Sequence, residues 1–210
     1  MKIGLYGAGD IADLHVSGIN NCSSAELVGL FDIDQQKAKQ KSDNYNCRLY
    51  DSAESMLSDS IIDAVFVLTP LEDHFKCTVD ALNAGKHVLV EKPVASEVKN
   101  IEEIRDAAKR SGKLCVPVHN YLYEDSVIRT KELLDSGSLG DLVSIYILYN
   151  IHHPENVAQR YPGVIRQILT HHSYITCFPL HKTVILWPGT IVDTSTSVEA
   201  RAFTDASGFI

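Results

Sequence analysis

Short apolar runs alternate with segments of helical periodicity over the first 120 residues of the chain. Continuous apolar runs are typical of strands that are buried on both faces, as in a parallel sheet. The runs predicted as strands cover residues 3–6, 25–31, 48–50, 61–68, 87–90 and 114–118. The segments predicted as helices follow residue 12 and cover residues 35–44, 52–57, 72–84 and 97–111, the last one capped by Ser96. This alternation predicts an α/β domain in which helices cover both faces of a parallel sheet.

The pattern changes after residue 120. A predicted helix over residues 124–136 ends at the turn Gly137-Ser138-Leu139-Gly140, and residues 141–150 alternate like a half-exposed strand. A helix is predicted over residues 163–176, and a further strand over residues 191–203 is followed by a hairpin turn at 204–208. The boundaries are therefore set at 1–120 and 121–210, the second part being a partial α/β domain with a mainly antiparallel open sheet.

The first predicted strand runs directly into the segment Gly7-Ala8-Gly9-Asp10-Ile11-Ala12. Glycine-rich segments of this spacing, between a strand and a helix, form the fingerprint of dinucleotide binding in doubly wound Rossmann domains. Gly7 permits the tight turn, Gly9 allows a pyrophosphate to approach the backbone, and Ala12 lets the helix pack on the strand. The phosphates would lie on the amino terminus of the helix, beside Asp10 and Ile11.

Asp32 stands at the end of the second predicted strand, 23 residues after Gly9. A carboxylate at this position accepts hydrogen bonds from the adenosine ribose hydroxyls and repels a 2′-phosphate. Ile33, Asp34 and Gln35 offer no cation to offset that repulsion, so NAD is favoured over NADP. The alternative is that Asp32 only caps the helix that begins near Gln35, a role for which Asp34 is also suited.

Composition excludes several classes of function. The net charge of −8 argues against nucleic acid or an anionic membrane surface as a partner. No apolar run reaches the roughly 20 residues that span a bilayer. The cysteines number five and are scattered singly, which predicts reduced thiols and a cytoplasmic location.

Residues that could bind a ligand or take part in catalysis cluster at the predicted carboxyl ends of the strands, where ligands of such sheets bind. They are Thr69-Pro70-Leu71, Glu91-Lys92-Pro93 and His119-Asn120. The segments of residues 69–74 and 81–93, with Glu-Lys-Pro as the most specific element, closely resemble the Gfo/Idh/MocA oxidoreductases, named for glucose–fructose oxidoreductase and inositol dehydrogenase. The resemblance covers residues 1 to about 120. It implies an N-terminal NAD(P) domain and a C-terminal domain that binds a sugar or cyclitol.

The resemblance also implies roles for single residues. Lys92 positions the substrate and assists proton movement, and an ammonium at a strand end can in any case stabilise a developing alkoxide. His74 matches a family histidine that shapes the cofactor pocket, although a histidine bonded to the backbone at a helix start is an equal alternative. Asn120 lies where relatives approach the nicotinamide. Tyr123 is a candidate proton donor, or a packing residue.

Relatives carry a helix with Asp-x-x-x-His, whose histidine exchanges a proton with the substrate oxygen. Alignment on Gly163 places His171 on that histidine and Gln167 on the aspartate, so the carboxylate is absent here. His171 is therefore preferred over His172 as the acid or base. The adjacent pairs His152-His153 and His171-His172 diverge by about 100° on a helix, which does not suit a metal site.

The expected function is NAD-dependent hydride transfer to or from a sugar, polyol or sugar derivative, by a homo-oligomer that associates through its C-terminal sheet. The alternatives are a catalytically silent dinucleotide-binding regulator of the same fold and a redox-neutral lyase or glycosidase that uses NAD. Family members run roughly half as long again, so the C-terminal sheet is expected either to be truncated or to be capped by another subunit.

Overall fold

A computed structural model describes residues 1–150, 164–180, 186–188 and 197–202 of the chain. Within these residues the chain divides into two compact units, Met1–Val118 and His119–Ile210. The division falls two residues earlier than the 120/121 boundary expected from the sequence, and it puts Asn120 in the second unit.

A six-stranded, fully parallel sheet forms the centre of the first unit, with the strand order β3-β2-β1-β4-β5-β6. This is the order of the doubly wound Rossmann fold, in which β1 and β4 flank the point where the topology reverses. The strands are β1 (Lys2–Tyr6), β2 (Glu26–Phe31), β3 (Arg48–Leu49), β4 (Ala64–Val67), β5 (His87–Val90) and β6 (Cys115–Pro117).

Five helices connect these strands: α1 (Ala12–Asn20), α2 (Gln35–Tyr45), α3 (Ala53–Ser58), α4 (Leu71–Asn83) and α5 (Val98–Ser111). Ser52 begins α3 with a capping box that it forms with Ser55, as the sequence indicates. Asp34 caps α2 by accepting from the N–H of Lys37 at 3.0 Å, so this role does not fall to Asp32. The predicted Ser96 cap of α5 is wrong, since the helix starts one residue later, with Glu97 before it.

The alternation of side chains along β1 divides the core of the first unit into two layers. Ile3 and Leu5 pack on one face with the apolar residues of α1 and α2, whereas Tyr6 packs on the other with those of α3, α4 and α5. The predicted strand 61–68 is shorter in the structure, because Asp59 accepts from the N–H groups of Ile61 and Ile62 in a turn. Both layers hold the strands in place, so that their carboxyl ends share one edge of the sheet.

The second unit begins with a 3-10 turn (Asn120–Tyr123) that the sequence pattern did not predict. It continues with α6 (Asp125–Asp135), β7 (Ile145–Asn150), α7 (Val164–Leu180), β8 (Leu186–Pro188) and β9 (Ser197–Ala202). β9 lies between β7 and β8 and is antiparallel to both, which gives the expected antiparallel sheet. Gly163, His152, His153 and the predicted hairpin at 204–208 lie outside the described residues.

Gly29 in β2 provides a test of this packing. A Cβ atom at Gly29 would lie 2.5 Å from the carbonyl oxygen of Arg48 and 2.7 Å from the Tyr50 ring, so β3 would have to shift. We expect Gly29→Ala to lower the free energy of unfolding by about 1–3 kcal/mol, the usual cost of overpacking. Urea denaturation measures it.

Gly18 is the matched control, because it lies in α1 with no atom within 4 Å of an added Cβ. Gly18→Ala should leave stability unchanged or raise it by up to about 1 kcal/mol, as expected for alanine in an exposed helix. Equal stability of the two variants would contradict the close approach of β2 and β3.

Candidate functional site

The turn after β1 is fixed by the neighbouring strand. Gly7 has a φ of 108°, and an added Cβ would lie 2.8 Å from the carbonyl carbon of Leu68 and 2.9 Å from its oxygen. The N–H of Gly7 donates to the carbonyl of Phe31 at 2.8 Å. Residues with a Cβ rarely adopt this conformation. The fold itself therefore requires glycine at position 7.

Gly9 differs from Gly7, because the fold does not require it. An added Cβ would meet only the oxygen of Leu68, at an ordinary distance of 3.9 Å. The helix α1 begins three residues later, and among the described residues no side chain caps its amino terminus. The sequence Gly9–Asp10–Ile11 thus leaves an open approach to the positive end of a helix, a geometry that suits an anion.

Asp32 is held against this turn. One carboxylate oxygen accepts from the N–H of Ala8 at 2.6 Å, and the other accepts from the N–H of Asp34 at 2.9 Å. A carboxylate has about four acceptor positions, so these two bonds leave capacity for hydroxyl donors. The carboxylate is oriented by the backbone before any ligand arrives.

His74 lies in the first turns of α4, which Pro70 precedes and Leu71 begins. It is buried, with Nδ1 at 2.7 Å from the carbonyl oxygen of Pro93 and Nε2 at 2.7 Å from that of Thr69. The ring therefore joins the loop after β4 to the loop after β5. This contact corresponds to the expected alternative in which the histidine bonds to the backbone, and it still shapes the edge of the sheet.

Lys92 follows β5 and is half-buried, and its peptide bond to Pro93 is cis. Its N–H donates to the carboxylate of Glu91 at 3.0 Å. Its ammonium group forms no hydrogen bond or ion pair with the part of the chain that the structure describes. A cation that is partly withdrawn from water in this way is available to a ligand.

His15, on α1, makes a contact that links the glycine-rich turn to Lys92. Its Nε2 donates to the carboxylate of Glu91 at 2.8 Å. Both side chains are largely buried, with 13% of the His15 side chain and 12% of the Glu91 side chain exposed. Burial by itself would raise the pKa of Glu91, but the hydrogen bond and charge of His15 and the N–H of Lys92 leave that pKa below its usual value. Glu91 thus connects His15 on α1 with the backbone of Lys92, the residue that carries the ammonium group.

In the second unit, a cluster of polar rings surrounds Tyr174 on α7. Nδ1 of His171 lies 2.5 Å from the Tyr174 hydroxyl, which donates to Oδ1 of Asn120 at 3.3 Å. The N–H of Tyr121 donates to the same hydroxyl at 3.4 Å, and the ring of His119 stacks on that of Tyr174 with centroids 4.1 Å apart. The cluster joins α7 to the 3-10 turn of the same unit.

The two adjacent histidines of α7 differ in their surroundings. His171 contacts Tyr174 and the edge of the Tyr121 ring, whereas His172 is fully buried and its pKa is lowered by desolvation. Tyr123, the other candidate acid, is 76% exposed. The side chain of Gln167 lies outside the described part of the helix.

The sequence-based candidates of the first unit meet at one edge of its sheet, since they all follow the carboxyl ends of β1, β2, β4 and β5. His15 and Tyr174 were not among the residues that the sequence motifs indicated. His15 is 76 residues from Glu91, and no pattern signals that pairing. Tyr174 is three residues after His171, a spacing that places both side chains on one face of a helix and could have indicated the contact.

The structure also bears on metals and membranes. Among the described residues, no group of three or more His, Cys, Asp or Glu side chains could hold a metal ion. None of the helices described is both long and apolar enough to cross a membrane.

The pair of His15 and Glu91 predicts a pH dependence of stability. A carboxyl group with a lowered pKa in the folded state stabilises that state above its usual pKa, 4.5 for Glu91, and the contribution disappears as the pH falls through the lowered value. We expect Glu91→Gln to lower the free energy of unfolding by about 1.5–3 kcal/mol at pH near 7, the scale of a hydrogen bond to a charged group. Urea denaturation at several pH values measures the difference.

The difference between wild type and Glu91→Gln should shrink steadily below pH 4.5. Glu102→Gln is the control, because Glu102 is an exposed residue on α5, and this variant should match the wild type throughout. A difference for Glu91→Gln that stays constant down to acid pH would contradict the ion pair.

Comparisons with known proteins agree with this architecture. The sequence profile described as "Oxidoreductase family, NAD-binding Rossmann fold" (GFO_IDH_MocA) matches residues 1–119. Glucose-6-phosphate 3-dehydrogenase of Bacillus subtilis is 31% identical over 76% of this chain and 44% of its own length. Inositol 2-dehydrogenase of Salmonella typhimurium is 27% identical over 81% of this chain and 52% of its own.

Among solved structures, that of apo scyllo-inositol dehydrogenase from Lactobacillus casei superposes with a TM-score of 0.81 at 23% identity, over 92% of this chain and 59% of that one. The chain spans about half the length of the curated relatives it matches. The family profile covers more than half of the chain, including the glycine-rich turn, Asp32 and the Glu91–Lys92–Pro93 segment. The chain belongs to the Gfo/Idh/MocA family of oxidoreductases.

Proposed function

We propose that this chain carries out NAD-dependent hydride transfer on a sugar, polyol or sugar derivative. The observation that carries the proposal is the Lys92 ammonium, which is half-buried without a partner among the described residues, at the same edge of the sheet as the glycine-rich turn. A surface lysine with a structural role would be paired or fully solvated. The similarity to dehydrogenases of inositol and of glucose 6-phosphate supports the substrate class.

The residues of the first unit fit a dinucleotide. The fold does not require glycine at position 9, so the space where a Cβ of this residue would lie suits a pyrophosphate. Asp10 and Ile11 lead to the amino terminus of α1, which no side chain of the described residues caps and whose dipole favours phosphate. Thr69, Pro70 and Leu71 would line the other side of the turn, after β4.

The preference for NAD over NADP rests on Asp32. Its two oxygens are fixed by the N–H groups of Ala8 and Asp34, and their remaining lone pairs suit the two hydroxyls of a ribose. A 2′-phosphate would face this carboxylate, and Ile33, which is 86% exposed beside it, provides no compensating charge.

The chemistry divides between the cofactor and the protein. When bound, the nicotinamide would take or supply the hydride. Lys92 would donate a hydrogen bond to the substrate hydroxyl and stabilise the negative charge that develops on that oxygen as the hydride moves. Glu91 and His74 would hold the loop that carries Lys92, through their contacts with His15, Pro93 and Thr69.

We assign to His171 the transfer of the substrate hydroxyl proton, with Tyr123 as the alternative and Asn120 as a residue near the nicotinamide. The resemblance to relatives with a catalytic histidine at this position supports His171 over His172. Full burial and a lowered pKa leave His172 uncharged and surrounded by protein.

A cytoplasmic homo-oligomer is the proposed form of the protein. The five cysteines are all free thiols, which suits a reducing compartment. Among the strands that the structure describes, β7 lies at one edge of its sheet, and its exposed Tyr146 and Leu148 alternate with the half-buried Ile145 and Ile147. An exposed apolar face on a strand at the edge of a sheet favours a covering partner, for which we propose the same sheet of a second copy.

Asp32 predicts the cofactor preference. Wild-type protein should bind NADH more tightly than NADPH, and the double variant Asp32→Ala with Ile33→Arg should shift the preference toward NADPH by about tenfold or more, since one charge contact of this kind contributes about 1.5–3 kcal/mol. Fluorescence titration with each reduced cofactor measures both dissociation constants.

Asp34→Ala serves as the control for that titration, because Asp34 caps α2 through Lys37. It should lower stability and leave the ratio of the two dissociation constants unchanged. Equal affinity of the wild type for both cofactors would overturn the assignment of Asp32.

The role proposed for Lys92 predicts that its substitution affects turnover but not cofactor binding. Lys92→Met should leave NADH binding nearly unchanged and lower kcat by about 10²-fold or more, the usual scale for a positioned proton-transfer group. Absorbance at 340 nm with NAD and a panel of sugars and polyols measures turnover. Lys99→Met is the control, since Lys99 is an exposed residue paired with Glu97. Normal turnover of Lys92→Met would make the lysine structural and favour a regulator without activity.

A further inference from the structure

A cavity of about 560 Å³ lies at the amino edge of the parallel sheet, opposite the edge that carries the glycine-rich turn and Lys92. Its lining includes Asp63, just before β4, His87, the first residue of β5, and Lys113, two residues before β6. Small-molecule sites in proteins have volumes of about 300–1,000 Å³. The cavity is therefore large enough for a metabolite, and the function proposed above does not use it.

Lys86 lines this cavity and is almost completely buried, with 7% of the residue exposed. Its Nζ donates to the carbonyl oxygens of Asp59 at 2.7 Å and of Ile62 at 2.9 Å, and it forms no ion pair with the described residues. An ammonium group has three hydrogens to donate, so one is left beyond these two bonds. A buried donor is costly to leave unpaired. The third hydrogen suits an acceptor that enters the cavity.

Two further donors line the same cavity. Lys113 is half-buried, and its ammonium group forms no hydrogen bond or ion pair with the part of the chain that the structure describes. Nδ1 of His87 accepts from the N–H of Leu114 at 3.2 Å, so the neutral ring carries its hydrogen on Nε2. Lys86, Lys113 and His87 therefore all supply hydrogen-bond donors, which is what an anion requires.

The charge of this cavity is positive, although the chain as a whole carries −8. Lys86 and Lys113 contribute two ammonium groups, whereas Asp63 is the one carboxylate among the described residues that line it. Oδ2 of Asp63 already accepts from the N–H of Lys2 at 2.7 Å. Burial lowers the pKa of Lys86, and the charge of Lys113 acts in the same direction, against the carboxylates of Asp59 and Asp63. A bound anion would stabilise both ammonium groups.

A second cavity of about 730 Å³, which Lys86 also lines, differs in its charge. There Lys76 is paired with Asp80 at 2.7 Å, and Glu54 adds a further carboxylate. The two ammonium groups among the described residues of that cavity are thus balanced by two carboxylates. An anion is therefore favoured in the first cavity and not in the second.

We propose that the cavity at the amino edge of the sheet binds phosphate, either as the inorganic ion or as the monoester of a small metabolite. The ammonium groups of Lys86 and Lys113 supply the charge, and His87 supplies a further N–H. Lysine binds phosphate as a point charge, and a phosphate group presents at least three strongly accepting oxygens. A planar carboxylate presents two oxygens, which suit donors from several loops less well.

Isothermal titration calorimetry of the full chain with inorganic phosphate, at low ionic strength, tests the site. We expect saturable binding by the wild type, and Lys113→Gln should weaken it by about tenfold or more, the scale of one hydrogen bond to a charged group. Lys109→Gln is the matched control, because Lys109 is exposed in the last turn of α5 and this variant removes the same charge. It should bind phosphate as the wild type does. No loss in Lys113→Gln, or an equal loss in both variants, would overturn the proposal.

Lys86 is less suited to substitution, because its ammonium group also holds the carbonyls of Asp59 and Ile62. Nitrogen-15 NMR of the imidazole rings instead locates the anion in the wild-type chain, with the His87 signals assigned by their loss in His87→Gln. Phosphate should shift the ring nitrogens of His87 and leave those of His15, on α1 beside the glycine-rich turn, nearly unchanged. A larger shift at His15 would place the anion at that turn and reject the cavity.

Three probes in the same titration separate the sources of the phosphate: the inorganic ion, glycerol 3-phosphate and acetate. Tighter binding of glycerol 3-phosphate than of inorganic phosphate identifies the ligand as a metabolite, whereas equal or weaker binding identifies it as the inorganic ion. Acetate that binds as tightly as either would overturn the assignment to phosphate. Binding of none of the three within about 10 mM would overturn the site itself. These outcomes do not depend on whether the chain transfers a hydride.

Discussion

The close approach of two backbones, where the chain leaves β1, is the constraint on which the first unit depends. β1 lies between β2 and β4, and the carbonyl of Leu68 occupies the space where a side chain at position 7 would lie. The chain can turn there only with a positive φ, which glycine permits. That turn directs the N–H of Ala8 to Asp32 and starts α1 close to the sheet, with Ala12 fully buried. The position of the amino terminus of α1 and the orientation of the Asp32 carboxylate both follow from one steric requirement.

A second contact, between His15 and Glu91, connects the glycine-rich turn to the loop after β5. α1 follows the glycine-rich turn, and His15 on α1 reaches Glu91 after β5, two strands away from β1 in the sheet order. Glu91 accepts the N–H of Lys92, and His74 holds the next residue, Pro93, to the loop after β4. Buried ion pairs contribute little net stability compared with apolar packing, but they restrict geometry when their partners are satisfied. The position of Lys92 thus depends on both neighbouring loops.

Local patterns predict most of the first unit because its central strands, β1 and β4, are apolar runs that are buried on both faces. The Ser52 cap depends on residues close together in the chain, whereas the glycine-rich turn and Asp32 are indicated by the spacing of a known fingerprint. Where the pattern fails, the element begins later than predicted: Asp59 holds residues 61 and 62 in a turn, so the predicted strand 61–68 starts only at Ala64, and α5 starts after Glu97. The contact of His15 with Glu91 could not be predicted, since it joins residues brought together only by the sheet order.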